Sequence, residues 1–295
     1  MKIRSLFGLF LTSMATLCLE ISLTRFFSIS QQYHFAFLVV SIAFLGYGSA
    51  GAFLSVMKKI HLKKKEKLLA STALVFSVSI LLSFLLCNAI PFDLFKLSWS
   101  RTHALYLFLY YILLSIPFFF AGIIVSLAIT LAPGMVNTIY FFDLLGAGAG
   151  SLLSILIFLP AGDKGVFLIL SSSVLIAALL FCPPKTWKIK FAIPFLLAAE
   201  IFLFVLGPSW LAFRISEFKA LPVSLHYPEA KNLQTRWNAL SRVDIIDSPA
   251  VRFAPGLSLL YNQNLPFQLG LPFFLNRNLI LNKSTSDDQH AGEGH

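Results

Sequence analysis

Apolar residues in this chain come in long, nearly uncharged runs rather than in the short alternating or three-and-four patterns of soluble domains. Such runs lie near 5–27, 33–57, 68–90, 104–131, 137–159, 165–182 and 191–213. About 20 helical residues, each rising roughly 1.5 Å, cross the hydrocarbon core of a bilayer, so the pattern predicts about seven membrane-spanning helices. The run at 165–182 is the shortest. Pro117 and Pro194 lie inside runs, where they predict kinks rather than helix ends.

From Ala212 onward the pattern changes. Prolines, asparagines and charges become frequent and the apolar runs shorten. Ser241-Arg242-Val243-Asp244-Ile245-Ile246-Asp247 predicts a short strand bounded by Ser248-Pro249, and Leu257–Tyr261 a second one after the turn pair Pro255-Gly256. The expected organisation is an all-α polytopic bundle over 1–211, an incomplete β-rich segment over 212–275, and a polar, disordered tail over 276–295.

Composition supports lipid as the main solvent. Of 295 residues, 57% are hydrophobic and 12% charged, against about 45–50% apolar and 25% charged in soluble domains. The net charge of +10 would suit a nucleic-acid binder, but its distribution argues against one. Residues 1–211 hold 15 Lys/Arg against 6 Asp/Glu, and the rest of the chain 8 against 7. The excess sits in short connections: Met1–Arg4, six lysines within 58–67 and three within 183–190. These segments fall on one side if four helices separate the last two. The bias toward positive charge inside then places the N-terminus in the cytoplasm of a multi-pass protein of a bacterial inner membrane. Met1–Cys18 superficially resembles a signal peptide, but apolar character resumes at once after Ala15, so an uncleaved first span is expected.

Gly46-Tyr47-Gly48-Ser49-Ala50-Gly51 has the GxGxxG spacing of dinucleotide sites. That motif works only where a strand turns into a helix N-terminus, and here it lies inside a spanning run. Gly46 with Ala50, and Gly146 with Gly150, are instead expected to form small-residue faces for close helix packing. Four ionisable residues fall within or at the edge of spans: Glu20, Arg25, Asp143 and Glu200. A lone charge at mid-bilayer costs at least about 2.5–3.5 kcal/mol, so each needs a partner or a cavity. Glu20 and Arg25 are about 140° apart around a helix. Glu20 therefore needs another partner, a polar group on another helix or His34, and Arg25 is expected to snorkel to the interface. Cys18, Cys87 and Cys182 form no CxxC or His/Cys cluster, so no metal, cofactor or catalytic constellation is expected.

Some segments are similar to a known family. Leu19-Glu20-Ile21-Ser22-Leu23-Thr24-Arg25, Ala43–Gly51 and Tyr140–Gly150 resemble the opening of bacterial membrane-bound spermidine synthase-like proteins. So do Ser216–Leu221, Ser241–Asp244 and Ala254–Leu259 further on. The resemblance spans about residues 7–271. It implies a membrane bundle leading into a Rossmann-like domain related to aminopropyltransferases and S-adenosylmethionine-dependent methyltransferases. After Leu271 the remaining residues are too few for such a domain and hold no glycine-rich nucleotide turn. The expectation is therefore the membrane portion of that family, truncated or frameshifted, without catalysis of its own. Its partners would be the lipid bilayer and a separate soluble catalytic subunit or further copies of itself, not nucleic acid. The alternative is a small transporter or channel for a polar or cationic solute, lined by Glu20, Asp143 and Glu200.

Overall fold

The computed structural model describes residues 2–31, 34–57, 65–183, 186–238, 242–249, 268–272 and 278–282. The chain divides into two compact units, Met1–Arg214 and Ile215–His295. The first holds seven long helices: α1 (Ile3–Ser30), α2 (Phe35–Val56), α3 (Lys65–Ala89), α4 (Arg101–Leu131), α5 (Val136–Leu156), α6 (Phe158–Phe181) and α7 (Trp187–Leu206). All seven are long and apolar enough to cross a membrane.

Two boundaries differ from the apolar runs, each for a backbone reason. The run at 165–182 belongs to a longer element, α6, because Gly162 adopts φ 58°, ψ −158° and joins a preceding turn to the helix proper. Only glycine takes that conformation without steric penalty. The run at 191–213 stops being helical at Leu206. Gly207 there is left-handed (φ 50°, ψ 48°), Pro208 follows, and Lys164 Nζ donates to the Gly207 carbonyl at 2.9 Å. A left-handed glycine with a cation on the last carbonyls is a favourable helix terminus. Beyond it, Asn88 at the end of α3 donates to Trp210 O (3.2 Å) and Ala212 O (2.9 Å) and accepts from Arg214 N (2.9 Å).

Contacts between helices give their directions. Phe10 and Met14 of α1 face Gly146 and Gly150 of α5, so those two helices are parallel. Gly46 and Ala50 of α2 face Phe118 and Gly122 of α4, also in parallel. Arg4 reaches Cys182 O at 2.8 Å while Phe26 packs on Phe158, so α1 and α6 are antiparallel. Ser83 donates to Leu113 O and Tyr110 to Cys87 O, which sets α3 against α4. Glu200 meets Ser171 while Phe204 meets Gly165, which sets α6 against α7. The seven helices thus alternate strictly. The N-terminus and the α2–α3, α4–α5 and α6–α7 connections share one end, and α7 finishes at the other.

Within the bundle α1 packs on α5, α6, α2 and α4, and with α6 it is the most enclosed helix; α7 is the least. Leucine against lipid and leucine against leucine are nearly equivalent, so close backbone approach does much of the holding. A Cβ on Gly146 or Gly150 would stand 2.3 Å from the Phe10 or Met14 carbonyl oxygen respectively. On Gly46 it would meet Phe118 Cβ at 2.5 Å, and on Gly122 it would meet Ala50 Cβ at 2.9 Å. Gly48, Gly51 and Gly148 face open space.

The second unit contains the short helix α8 (Ala220–Leu225) and strands β1 (Lys231–Trp237), β2 (Arg242–Asp247), β3 (Gln268–Pro272) and β4 (Asn278–Asn282). They form one antiparallel sheet in the order β1-β2-β3-β4, with Thr235 opposite Asp244, Ile246 opposite Gly270, and Leu269 opposite Leu281. Buried Asp244 of β2 accepts from Thr235 (2.6 Å), Asn232 (3.2 Å) and Arg242 (2.9 Å), which ties β1 to β2. The strand expected at 241–247 is β2. The one expected at Leu257–Tyr261 lies outside the described residues. The expected disorder from Asn276 does not hold at β4: Leu279-Ile280-Leu281 gives that polar stretch an apolar centre that pairs with β3. No Rossmann fold is present among the described residues, where every strand pairing is antiparallel.

The glycine contacts yield a direct prediction. Gly150→Val should lower the thermal midpoint of the detergent-solubilised protein, with a loss of about 1–3 kcal/mol or more from overpacking against α1. Gly148→Ala, which points into open space, should leave the midpoint within a degree or two. Circular dichroism melting of both variants checks the contrast.

Candidate functional site

Polar side chains inside the bundle gather in two places. In α1, Ser13, Thr16 and Glu20 are three and four residues apart, a spacing that puts them on one helix face. Two other helices bring polar groups to that face. Ser13 Oγ donates to Asp143 Oδ1 of α5. Tyr47 of α2 meets the Thr16 side chain and lies within electrostatic range of both Asp143 and Glu20. Both α2 and α5 pack on α1 but barely on each other, so this group lies where the two helices flank α1.

The second place is deeper. Glu200 of α7, 5% exposed, accepts from Ser171 Oγ at 2.6 Å and Ser172 Oγ at 2.5 Å, both from α6. Ser171 also lies 2.7 Å from the Ser77 hydroxyl of α3 and 3.0 Å from the Ser77 carbonyl oxygen. Both carboxylate oxygens thus have a donor, and the chain of hydroxyls crosses three helices. Such interhelical bonds contribute on average about 0.6 kcal/mol each and at most about 1.7.

Each ionisable residue singled out above has a definite place. Asp143 and Glu200 are bonded to serines of neighbouring helices. Arg25 does more than snorkel: its Nη1 donates to Ser154 O at 2.9 Å and its guanidinium lies 5.0 Å from the Phe158 ring centroid. Ser154 is in the last turn of α5, where carbonyls lack helical partners and a cation is favoured. Glu20 does not pair with His34: among the described residues its carboxylate has no hydrogen bond or ion pair. Gly46, Ala50, Gly146 and Gly150 are the helix contacts described above. The four ionisable groups do not converge on one site; Asp143 and Glu20 share the α1 face, and Glu200 belongs to the α3–α6–α7 group.

The hydroxyl partners were not apparent from the amino-acid pattern. Serine and threonine are common in apolar runs, and only the run Ser171-Ser172-Ser173 stands out. Among the described residues no group of three or more His, Cys, Asp or Glu could hold a metal ion, and Cys18, Cys87 and Cys182 are buried and unpaired. Chemically, the arrangement joins helices through carboxylate–hydroxyl bonds. Seven alternating apolar spans with buried interhelical polar bonds define a polytopic helical membrane protein. No family model matches the chain, and no curated protein or solved structure matches it either.

If the Ser13–Asp143 bond holds α1 to α5, Ser13→Ala and Asp143→Ala should each lower stability, and the double variant should lose less than their sum. A coupling of about 0.6–1.7 kcal/mol is expected in a double-mutant cycle read by denaturant unfolding in micelles.

Proposed function

We propose that this chain is the membrane module of a spermidine synthase-like protein, non-catalytic by itself and operating with a separate soluble catalytic unit. The observation that carries this is what the resembling segments do. Ala43–Gly51 supplies Gly46 and Ala50 at the α2–α4 contact, and Tyr140–Gly150 supplies Asp143, Gly146 and Gly150 at the α1–α5 contact. The residues behind the resemblance are thus the ones that assemble a bundle, and the glycines that mimic a nucleotide loop lie within helices. In this reading the lysine-bearing end faces the cytoplasm of a bacterial inner membrane, following the positive-inside bias.

The alternative, a transporter for a polar or cationic solute, is favoured by one observation: Glu20, whose carboxylate has no hydrogen bond or ion pair among the described residues, lies within electrostatic range of Tyr47. One pair of assays separates the readings. The purified chain supplied with putrescine and decarboxylated S-adenosylmethionine should transfer no aminopropyl group. Proteoliposomes containing it should take up labelled amines or monovalent cations at the rate of empty liposomes. Uptake that is well above that background and abolished by Glu20→Gln or Asp143→Asn would establish a transporter instead, and aminopropyl transfer by the chain alone would make it an enzyme.

A further inference from the structure

Glu200 belongs to a hydrogen-bond chain whose protons can be counted. Its two carboxyl oxygens lie 2.6 Å from Ser171 Oγ and 2.5 Å from Ser172 Oγ. Ser171 Oγ also lies 2.7 Å from Ser77 Oγ and 3.0 Å from the Ser77 carbonyl oxygen. Each of these contacts needs one proton between its two oxygens. A serine hydroxyl carries a single proton, whereas a carboxylate and a carbonyl carry none. Ser77, Ser171 and Ser172 therefore bring three protons to four contacts. With Glu200 ionised, the Ser171 proton serves either the acid or the Ser77 carbonyl, and one contact is left as two facing oxygens. A fourth proton, on Glu200, completes the chain. The acid then donates to Ser171, Ser171 to the Ser77 carbonyl, Ser77 to Ser171, and Ser172 to the acid. The Ser171–Glu200 bond thereby runs from acid to serine rather than from serine to acid.

The surroundings supply no counter-charge. Glu200 is 5% exposed, and Ser77 and Ser171 are fully enclosed. Among the described residues the Glu200 carboxylate has no ion pair. On α6, Asp163 and Lys164 precede Ser171 by about two turns, roughly 10 Å along the axis, and Lys164 Nζ is bound to the Gly207 carbonyl. On α3, Lys65, Glu66 and Lys67 lie in the first turn, Glu66 faces Lys2 and Arg4, and Cys87 lies near the other end. On α7 itself, Lys188 and Lys190 stand at the start of the helix, roughly 15 Å or more before Glu200. A carboxylate within hydrocarbon needs a cation or a water-filled cavity; one without a charged partner is neutralised by keeping its proton.

We propose that Glu200 is a proton-binding site within the membrane span, its proton completing the chain Ser172–Glu200–Ser171–Ser77 across α6, α7 and α3. Oxygens 2.5 and 2.6 Å apart share a proton; a metal cation, with oxygen ligands at about 2.0 Å or more, would spread them. The inference rests on neither reading of the chain's function given above.

The test is infrared spectroscopy of the full chain in nanodiscs at neutral pH, wild type against Glu200→Gln. The difference should show loss of the C=O stretch of a protonated carboxylic acid, a band that shifts in D2O, with the carboxylate bands unchanged. Glutamine is the neutral isostere of the acid, so the variant should keep its helicity. Loss of carboxylate absorption instead would overturn the proposal. If Glu200→Gln does not fold, the wild type decides, using the lipid-soluble reagent dicyclohexylcarbodiimide, which meets α7, the least enclosed helix, from the bilayer. An acid O–H adds across a C=N bond of the reagent, the proton going to nitrogen and the carboxyl oxygen to carbon. Acyl migration to nitrogen then leaves a stable N-acylurea with no leaving group. Peptide mass spectrometry should find this adduct on Glu200, undiminished by sodium ions at constant pH. No adduct at Glu200, or protection by sodium, which marks a metal-cation site, would contradict the assignment.

Discussion

The bundle depends on how closely α5 approaches α1. In water the expulsion of apolar surface would hold such helices together, but lipid tails solvate leucine and phenylalanine as well as a neighbouring helix does. What remains is dispersion at short range and polar bonds that lipid cannot offer. The α1–α5 contact supplies both. Gly146 and Gly150 admit the α1 backbone to a distance at which any Cβ would collide with a carbonyl oxygen, and Ser13–Asp143 adds a polar bond beside them. With α1 anchored on that side, its opposite surface receives α6 through Phe181 on Gly8, Phe26 on Phe167, and Arg4 on Cys182 O.

The same constraint explains how two of the three acids Glu20, Asp143 and Glu200 persist inside apolar helices. Asp143 and Glu200 accept from hydroxyls whose own apolar neighbours pack normally, so their polarity is spent on fastening α5 to α1 and α7 to α6. For α7 this matters more, because it is the least enclosed helix and touches little besides α6. Glu20 is the exception: it lies on the same α1 face as Ser13 and Thr16 and within electrostatic range of Tyr47.

Much of the architecture was legible from residue pattern alone. Seven apolar runs became seven helices because nothing but a helix can satisfy its backbone in hydrocarbon over 20 residues. The spacing of Gly146 with Gly150 and of Gly46 with Ala50 exposed two packing faces, though not that their partners would be α1 and α4. Helix ends were less legible, since the left-handed Gly207 and the positive φ of Gly162 override continued apolar character. Partners of the intramembrane acids were hidden for a simple reason. A serine hydroxyl carries no periodic signal, and the pairs Ser13–Asp143 and Ser171–Glu200 are separated by 130 and 29 positions. In the second unit, β4 was concealed by asparagines flanking only three apolar residues.

The central claim is that seven spans alternate, with the lysine-bearing connections at one end and the exit of α7 at the other. Single cysteines introduced at Glu66, Trp99, Trp187 and Trp210, after replacement of the three native cysteines, test it in sealed membrane vesicles with a membrane-impermeant maleimide. Positions 66 and 187 should label from one face of the membrane, and 99 and 210 only from the other. Labelling of 99 and 187 from the same face would contradict the account.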